Sequence, residues 1–395
     1  MRPRLGTRQG GPKSPSAWSH LLARVVSDLE CKWKLEPPVV PWVDDSLLAQ
    51  TGLFIWADNV FLVSGSWPVL RRRVLELEAA FGELDLRFST SSLEVVCSPA
   101  AAALAREPIL LADGRCLVEK QEMLALGVCL DSRASTEAML RYRLECTRKM
   151  WGRLGGMLCN PRVPWRERAR RLYSCLGACL LWGAGIWSLT QSVLDKVSAQ
   201  EIRWLRRVSG FFRVSAAEES WAEWLSWTKR AVHKRRHREG LRSLAQRLCS
   251  AVFSWHGHLA RRKRSELHVA GRWMEWRDQR WWQTRKALGD GFGEGRTWRH
   301  ARHNWQKPSE RALHDWNPEW KMLAQDREAW SRQRQKFEDW CRRRWRGPRA
   351  VEARVAAHEP TEKKKTIGSD RRRLRALQRE FADRVQRPSK RRRRG

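Results

Sequence analysis

The stretch Leu53 to Ser64, LFIWADNVFLVS, sets two short apolar runs on either side of a polar centre. Phe54–Trp56 and Val60–Val63 have the composition of strands, and Asp58–Asn59 are residue types that favour tight turns, so the stretch predicts a β-hairpin. On its N-terminal side Pro37, Pro38 and Pro41 break the chain. Before them Trp18, Leu21, Leu22, Val25, Val26 and Leu29 recur at helical spacing. Residues 1–17, rich in Gly, Pro and Ser, read as a loop. On the C-terminal side Pro68 suits the first turn of a helix whose apolar positions include Leu70, Val74, Leu77 and Phe81. Leu86–Phe88 and Leu93–Cys97 predict another strand pair, and Gln121 to Leu130 predicts a further strand with a turn at Gly127.

From Ser135 the pattern turns helical. Ser135 or Thr136 is the expected cap, with Glu137 in the first turn and a stripe of Leu140, Leu144, Met150, Trp151, Leu154 and Leu158. Further helices are expected from near Pro164 and from about Ser192 to Phe212. Leu172 to Leu189 carries no charge over 18 residues, the lower limit for a membrane span. Its small residues Gly177, Ala178, Gly183, Ala184 and Gly185, and the Arg170-Arg171 pair before it, favour a buried helix and turn. Beyond Ser220 the helical segments are saturated with Arg and Trp. Gly289 to Gly295 reads as a hinge, since it lacks the strand and Lys of a phosphate loop. The fold class is therefore α+β, a small antiparallel sheet with helices followed by a mostly helical region. Changes of pattern place boundaries near residues 132, 215 and 350, the last opening a basic tail expected to be disordered.

The charge follows the same division. Lys and Arg number 78 against 43 Asp and Glu, for a net +35. Residues 1–200 carry only +6 of this and residues 201–395 carry +29. Such a chain attracts polyanions. Trp occurs 25 times, 16 of them between Trp204 and Trp345, against two Tyr. Arg binds phosphate bidentately and Trp stacks on unpaired bases, which makes Arg230, Arg277, Arg280, Trp281, Trp282 and Arg299 candidate nucleic-acid contacts. The competing expectation is amphipathic helices with Trp in the core, which the spacing of Trp316, Trp320, Trp330 and Trp340 fits well. The ten Cys form no CxxC and are expected to be reduced and mostly buried. Cys175 and Cys179 suit core packing. His233/His237, His256/His258 and His300/His303 have close spacings, but no Cys or carboxylate set completes a zinc site. Residues 1–11 show no signal-peptide pattern. The basic runs Lys363–Lys365 and Lys390–Arg394 resemble nuclear-import signals and suggest a nuclear protein. The sparse apolar residues of the tail argue against a membrane partner.

Two motifs acquire meaning together. Arg8-Gln9-Gly10-Gly11-Pro12-Lys13-Ser14-Pro15 precedes the first helix, and Trp56-Ala57-Asp58-Asn59 sits in the hairpin. In this order and separation they resemble the palm of reverse transcriptases, especially those of non-LTR (LINE-type) retrotransposons, where a Gln-Gly-x-Pro-x-Ser-Pro loop is followed by an aromatic-Ala-Asp-Asp hairpin. Leu84 to Val96 resembles that family's next strand pair, Leu124 to Val128 its primer-gripping hairpin, and residues 135–212 its helical thumb, including Leu180-Leu181-Trp182-Gly183 and Trp187. The resemblance covers about residues 6–215. It implies a partial palm over 1–132, a thumb over 133–215, an Arg/Trp-rich extension over 216–350 and a tail over 351–395.

The resemblance also implies a chemistry and shows where it is incomplete. The family's nucleotidyl transfer uses two Mg²⁺ ions held by three Asp. Gln9, Gly10, Pro12, Ser14 and Pro15 would line the nucleotide and template pocket, and Asp58 would be a metal ligand. The Asp of the early palm strand has no counterpart here, since Asp44-Asp45 follows the loop. Asn59 takes the place of the second hairpin Asp, and an amide is a poorer ligand for a hard dication. The family's Lys-Thr lysine falls on Ser92. The expectation is a reverse-transcriptase-like protein that binds RNA or DNA template-primer and does not polymerise by itself. The alternative is a non-enzymatic basic nucleic-acid-binding protein working through its Arg/Trp-rich C-terminal half.

Overall fold

The computed structural model describes residues 14–36, 52–56, 59–89, 93–98, 106–133, 135–212, 220–262 and 306–346. It is a mixed α+β chain, mostly helical, with small sheets of few strands. Two compact units divide it, one comprising Met1–Met139 and Gly257–Asn304, the other Leu140–His256 and Trp305–Gly395.

In the first unit, α1 (Ser14–Lys34) is followed by β1 (Leu53–Trp56) and β2 (Asn59–Leu62), then by α2 (Trp67–Gly82). The strands pair antiparallel from Leu53–Leu62 to Trp56–Asn59. The hairpin is where the sequence places it, but Asn59 opens the second strand instead of sharing the turn with Asp58, because it is the cross-strand partner of Trp56. Pro68 lies in the first turn of α2, where the missing N–H costs no helical bond. Leu22, Val25, Val26 and Trp33 of α1, Leu53 of β1 and Leu77 and Phe81 of α2 bury one core. Val74 faces a second cluster with Leu93, Ile109 and Leu111.

A polar network clamps α1 to α2. Trp33 is fully buried and its Nε1 donates to Glu76 Oε2 at 2.6 Å, while Lys32 and Arg72 reach Glu76 Oε1 at 2.8 and 3.0 Å. Glu36 receives Arg72 at 2.7 Å and the buried Arg73 at 2.9 Å, and the Arg73 guanidinium lies 4.7 Å from the Trp33 ring centroid. Hydrogen bonding from Arg72 first, then from Arg73, outweighs partial burial and lowers the Glu36 carboxyl to about 2.

The expected strand at Leu86–Phe88 does not form. After Asp85, at φ 55°, the chain is held by side chains: Leu86 and Phe88 pack on the α1/α2 core, with Phe88 edge-on to Phe81 at 5.5 Å. Glu94–Val95 (β3) pairs in parallel with Val118–Glu119 (β4), and the segment 121–130, with its expected turn at Gly127, is a hairpin of β5 (Glu122–Ala125) and β6 (Val128–Asp131). The described strands thus form three separate two-stranded pairs rather than one antiparallel sheet.

The helical region begins with α3 (Thr136–Cys159), capped by the Ser135 hydroxyl, which accepts from the Ala138 amide at 3.3 Å. α4 (Trp165–Leu172) continues through a wide turn at Tyr173–Gly177 to Leu180, and a short 3-10 turn, Ala184–Ile186, leads to α5 (Gln191–Val208). α6 (Trp221–Arg238), α7 (Leu244–Arg262), α8 (Gln306–Trp316), α9 (Trp320–Leu323) and α10 (Arg327–Arg346) follow. Helices from both sides of residue 215 therefore belong to the same unit.

Leu172, Leu176, Leu180, Ala184, Trp187 and Leu189 are buried, so the uncharged stretch is a helix and turn inside this unit. Among the described residues no helix is long and apolar enough to cross a membrane. Buried Glu201 is the polar hub: it accepts from the Tyr173 hydroxyl, from Arg236 Nη1 at 3.0 Å and from the Leu244 amide at 3.3 Å. Burial first, then the Glu201 charge, pushes the Tyr173 phenol well above its ordinary value. Ser309 accepts from the Leu189 amide and donates to the Trp187 carbonyl, both at 2.9 Å, tying α8 to the end of the uncharged stretch.

Of the tryptophans of the last helices, Trp320 and Trp330 are buried, and Trp316, Trp340 and Trp345 are half-buried. Trp330 stacks on Phe253 at 3.8 Å and 4°, donates its Nε1 to the Phe253 carbonyl at 3.2 Å, and shares that ring with Trp316 and Phe337. The Cys are free but less buried than expected: Cys97, Cys129, Cys249 and Cys341 are buried, while Cys31 and Cys116 are exposed. Cys175 and Cys179 are half-buried.

Candidate nucleic-acid interface

Asn59 is exposed at the start of β2, and Ser14 and Pro15 open α1. Asp58, Gln9, Gly10 and Pro12 lie outside the described residues, as do Asp44, Asp45 and Ser92. α1 and the hairpin do share one core, through Leu22, Val25 and Val26 on one side and Leu53 and Val60 on the other. Among the described residues no group of three or more His, Cys, Asp or Glu is placed to hold a metal ion. The amide of Asn59 is a poorer ligand for Mg²⁺ than a carboxylate would be.

Of the basic and aromatic candidates, Arg230 is exposed on α6, and Arg277, Arg280, Trp281, Trp282 and Arg299 lie outside the described residues, together with His300, His303 and Gly289–Gly295. His256 is buried, with Nδ1 2.9 Å from the Val252 carbonyl of its own helix, which accounts for it structurally.

A cationic surface that spacing did not reveal is built around Trp165. This indole is buried at the start of α4, and its Nε1 donates to Ser209 Oγ at 2.9 Å. Arg168, one turn on, points inward. Its Nε donates to the Val163 carbonyl at 2.9 Å, and its Nη1 donates to the carbonyls of Leu158 (3.3 Å) and Val208. One guanidinium thus satisfies carbonyls at the C-terminal ends of α3 and α5, groups that helix geometry leaves without partners, and fixes both ends against α4. Arg235, in the last turn of α6, lies 4.7 Å from the Trp165 ring centroid. Burial first, then the charge of Arg168, draws the Arg235 guanidinium below its ordinary range, with Glu239 opposing. Arg207 lies over Trp151 at 5.4 Å.

The ends of four helices therefore meet at one place, and what they present to water is Arg166, Arg170, Arg171, Arg207, Arg235 and Arg238. Glu239 meets Arg166 at 3.5 Å and Glu167 meets Arg170 at 3.2 Å, so carboxylates offset only part of the charge. The sequence marks Arg166–Arg171 as basic, but nothing in it brings Arg235, some seventy residues on, to Trp165. Guanidinium groups packed at such density on rigid helix ends suit the bidentate binding of phosphate.

No family model, no curated protein and no solved structure matches the chain.

Proposed function

We propose that this chain is a reverse-transcriptase-like protein of retrotransposon origin that binds RNA or DNA by its phosphate backbone and does not polymerise by itself. The observation that carries the binding reading is the cationic end at Trp165, where Arg235 of α6 lies over the α4 indole, Arg166 meets Glu239 just beyond α6, and Arg207 is exposed next to the Val208 carbonyl that Arg168 holds. The origin rests on the two sequence motifs, and the order helix, hairpin, helix, hairpin, helical bundle is compatible with it. The alternative, binding through the C-terminal half alone, is less well supported, because the cationic end draws on residues from both sides of residue 215.

Binding of this kind has a measurable signature. Arginines that neutralise phosphates release counterions, so log affinity falls against log salt with a slope of about −0.9 per contact. The exposed guanidinium groups are enough for a slope of about −4 to −6. Filter binding of a duplex across a salt series is the test, and a slope near zero removes the reading. Primer extension on poly(rA)/oligo(dT) with Mg²⁺ or Mn²⁺ tests the second half: extension abolished by Asp58→Ala would show that the chain polymerises after all.

A further inference from the structure

Gly210, at φ 72°, ends α5 and reverses the chain, and the Phe211 amide closes the turn on the Arg206 carbonyl at 3.0 Å. α6 follows and is held along one side. Thr228 and Val232 are fully buried there, and the Leu225 carbonyl accepts from Arg206 Nη2 at 2.8 Å. Arg236 pairs with Glu201 at 3.0 Å, and Arg235 covers the Trp165 ring at 4.7 Å. A helix turns by about 100° per residue. The side opposite Thr228 and Val232 therefore carries Ser226, Arg230 and His237 along its crest, Lys229 on one flank, and Lys234 and Arg238 on the other. All six are exposed.

The charge on this ridge has one sign. From Lys229 to Arg238 eight of ten residues are Lys, Arg or His, and no carboxylate occurs between Glu223 and Glu239. Among the described residues, none of Lys229, Arg230, Lys234 and Arg238 meets a carboxylate. A solvated helix face is more stable with mixed signs, because like charges at i and i+4 repel. Arg230, Lys234 and Arg238 stand in that relation twice over. The helix dipole favours cations in the last turn, which accounts for Arg235–Arg238 but not for Lys229, Arg230 and Lys234 before it. A bound polyanion removes the repulsion. A lipid surface is a poor fit, since the ridge carries no apolar side chain to insert.

The shape narrows the choice of polyanion. A helix is about 10–12 Å across, and the major groove of B-form DNA is about 12 Å wide and about 8.5 Å deep. A ridge with cations on both flanks meets both phosphate rows of such a groove at once and sets its crest on the base edges. The guanidinium fork of Arg230 suits the acceptor pair of a guanine edge. A-form RNA has a major groove too deep and narrow for side chains to read. We propose that α6 lies in the major groove of duplex DNA, with Lys229 on one backbone, Lys234 and Arg238 on the other, and Arg230 at the base edges. This rests on the reading of the chain as a nucleic-acid binder and adds to it a preference for double-stranded DNA over double-stranded RNA.

The test uses the full chain and fluorescence anisotropy with three labelled duplexes of one sequence, each of ~20 base pairs, about two helical turns. The first is DNA, the second is DNA in which glucosylated 5-hydroxymethylcytosine replaces cytosine and fills the major groove, and the third is RNA. The wild type is expected to bind plain DNA about tenfold more tightly than either of the others. Arg230→Ala/Lys234→Ala is expected to lose about tenfold on plain DNA and less than about threefold on the other two. Arg332→Ala/Lys336→Ala, which removes two exposed cations from α10, is the charge-matched control and is expected to keep the preference for plain DNA. Equal wild-type affinity for plain and glucosylated DNA, or for DNA and RNA, overturns the groove placement. So does an equal loss by the α6 variant on all three duplexes, an α6 variant that binds as the wild type does, or a control that erases the preference. The wild-type comparison needs no substitution, so it decides the matter even if a variant fails to fold by circular dichroism. A wild type that binds none of the duplexes overturns the nucleic-acid reading itself, whereas tight binding without preference overturns the placement of α6 alone.

Discussion

Gly185 lies directly against Trp255: a Cβ built at Gly185 would come within 2.8 Å of the Trp255 Cβ and 3.4 Å of the Ala251 carbonyl oxygen. The 3-10 turn after α4 and the middle of α7 are in contact there with no space for a side chain. Neither neighbour is the far end of a flexible chain, so a methyl group must displace backbone. Gly185→Ala is expected to destabilise the helical unit by about 1–3 kcal/mol, the usual cost of overpacking. The measurement is the urea midpoint followed by circular dichroism, and an unchanged midpoint would show that α7 does not approach this closely.

The Glu201 hub gives a second expectation. Its carboxylate holds Tyr173, Arg236 and the Leu244 amide at once, so its removal strands a phenol, a cation and a backbone donor inside the unit. Glu201→Ala is expected to cost about 3–5 kcal/mol, in the range of a broken buried ion pair. Tyr173→Phe removes one donor and leaves the Arg236 pair intact, for a loss of about 1 kcal/mol. Comparable losses from the two variants would mean that Arg236 does not depend on Glu201.

These contacts mark what was legible in the sequence. The small residues of 172–189 announced close packing, though not that α7 is the element packed against them. The hairpin at 53–62 was legible because two apolar runs flanked turn-forming residues; the turn was placed one residue late because Asn favours turns, whereas the pairing of Asn59 with Trp56 draws it into the strand. The pairing of β3 with β4 was not legible, since strands of two residues are defined by a partner more than twenty residues away and leave no periodic pattern. Phe88 read as a strand residue because aromatic residues favour strands, yet its place is set by packing on Phe81. Among the tryptophans, the core role of Trp316 and Trp330 followed from mixed helical spacing, while the stack of Trp221 on Trp224 shows only once Gly210 has turned the chain and Arg206 has come over the ring. The cationic end at Trp165 was hidden for the same reason: it is assembled from four helix ends, and composition reports only their sum.

Acid stability in the first unit turns on Glu36. Its carboxyl lies at about 2 in the folded chain against 4.5 for an ordinary glutamate, chiefly through Arg72. A depressed folded value means that the contribution is complete above about 4.5 and is lost as pH falls from there through about 2. The pair is partly open to solvent, so the expected loss is about 1 kcal/mol. Thermal unfolding at pH 5 and at pH 2.5 should show a smaller drop for Glu36→Gln than for the wild type, because the amide has no charge to lose. Equal drops would place the acid sensitivity elsewhere.

The β5–β6 hairpin carries a correctable strain. Ala125 pairs with Val128, so Leu126 and Gly127 form a two-residue loop, and both have left-handed backbones, at φ 52° and 76°. That combination is what a type I′ turn demands, and it matches the twist of the strands. Gly127 takes it at no steric cost, but in Leu126 the Cβ crowds the following carbonyl. The Leu126 side chain is half exposed, so little packing compensates. Leu126→Asn supplies the Asn-Gly pair favoured in such loops and is expected to stabilise the unit by about 0.5–1 kcal/mol. Leu126→Val, β-branched and less able to adopt positive φ, is expected to destabilise it by a similar amount. A rise in melting temperature for the first variant with a fall for the second identifies the turn; the reverse order would mean that the packing of Leu126 outweighs its backbone strain.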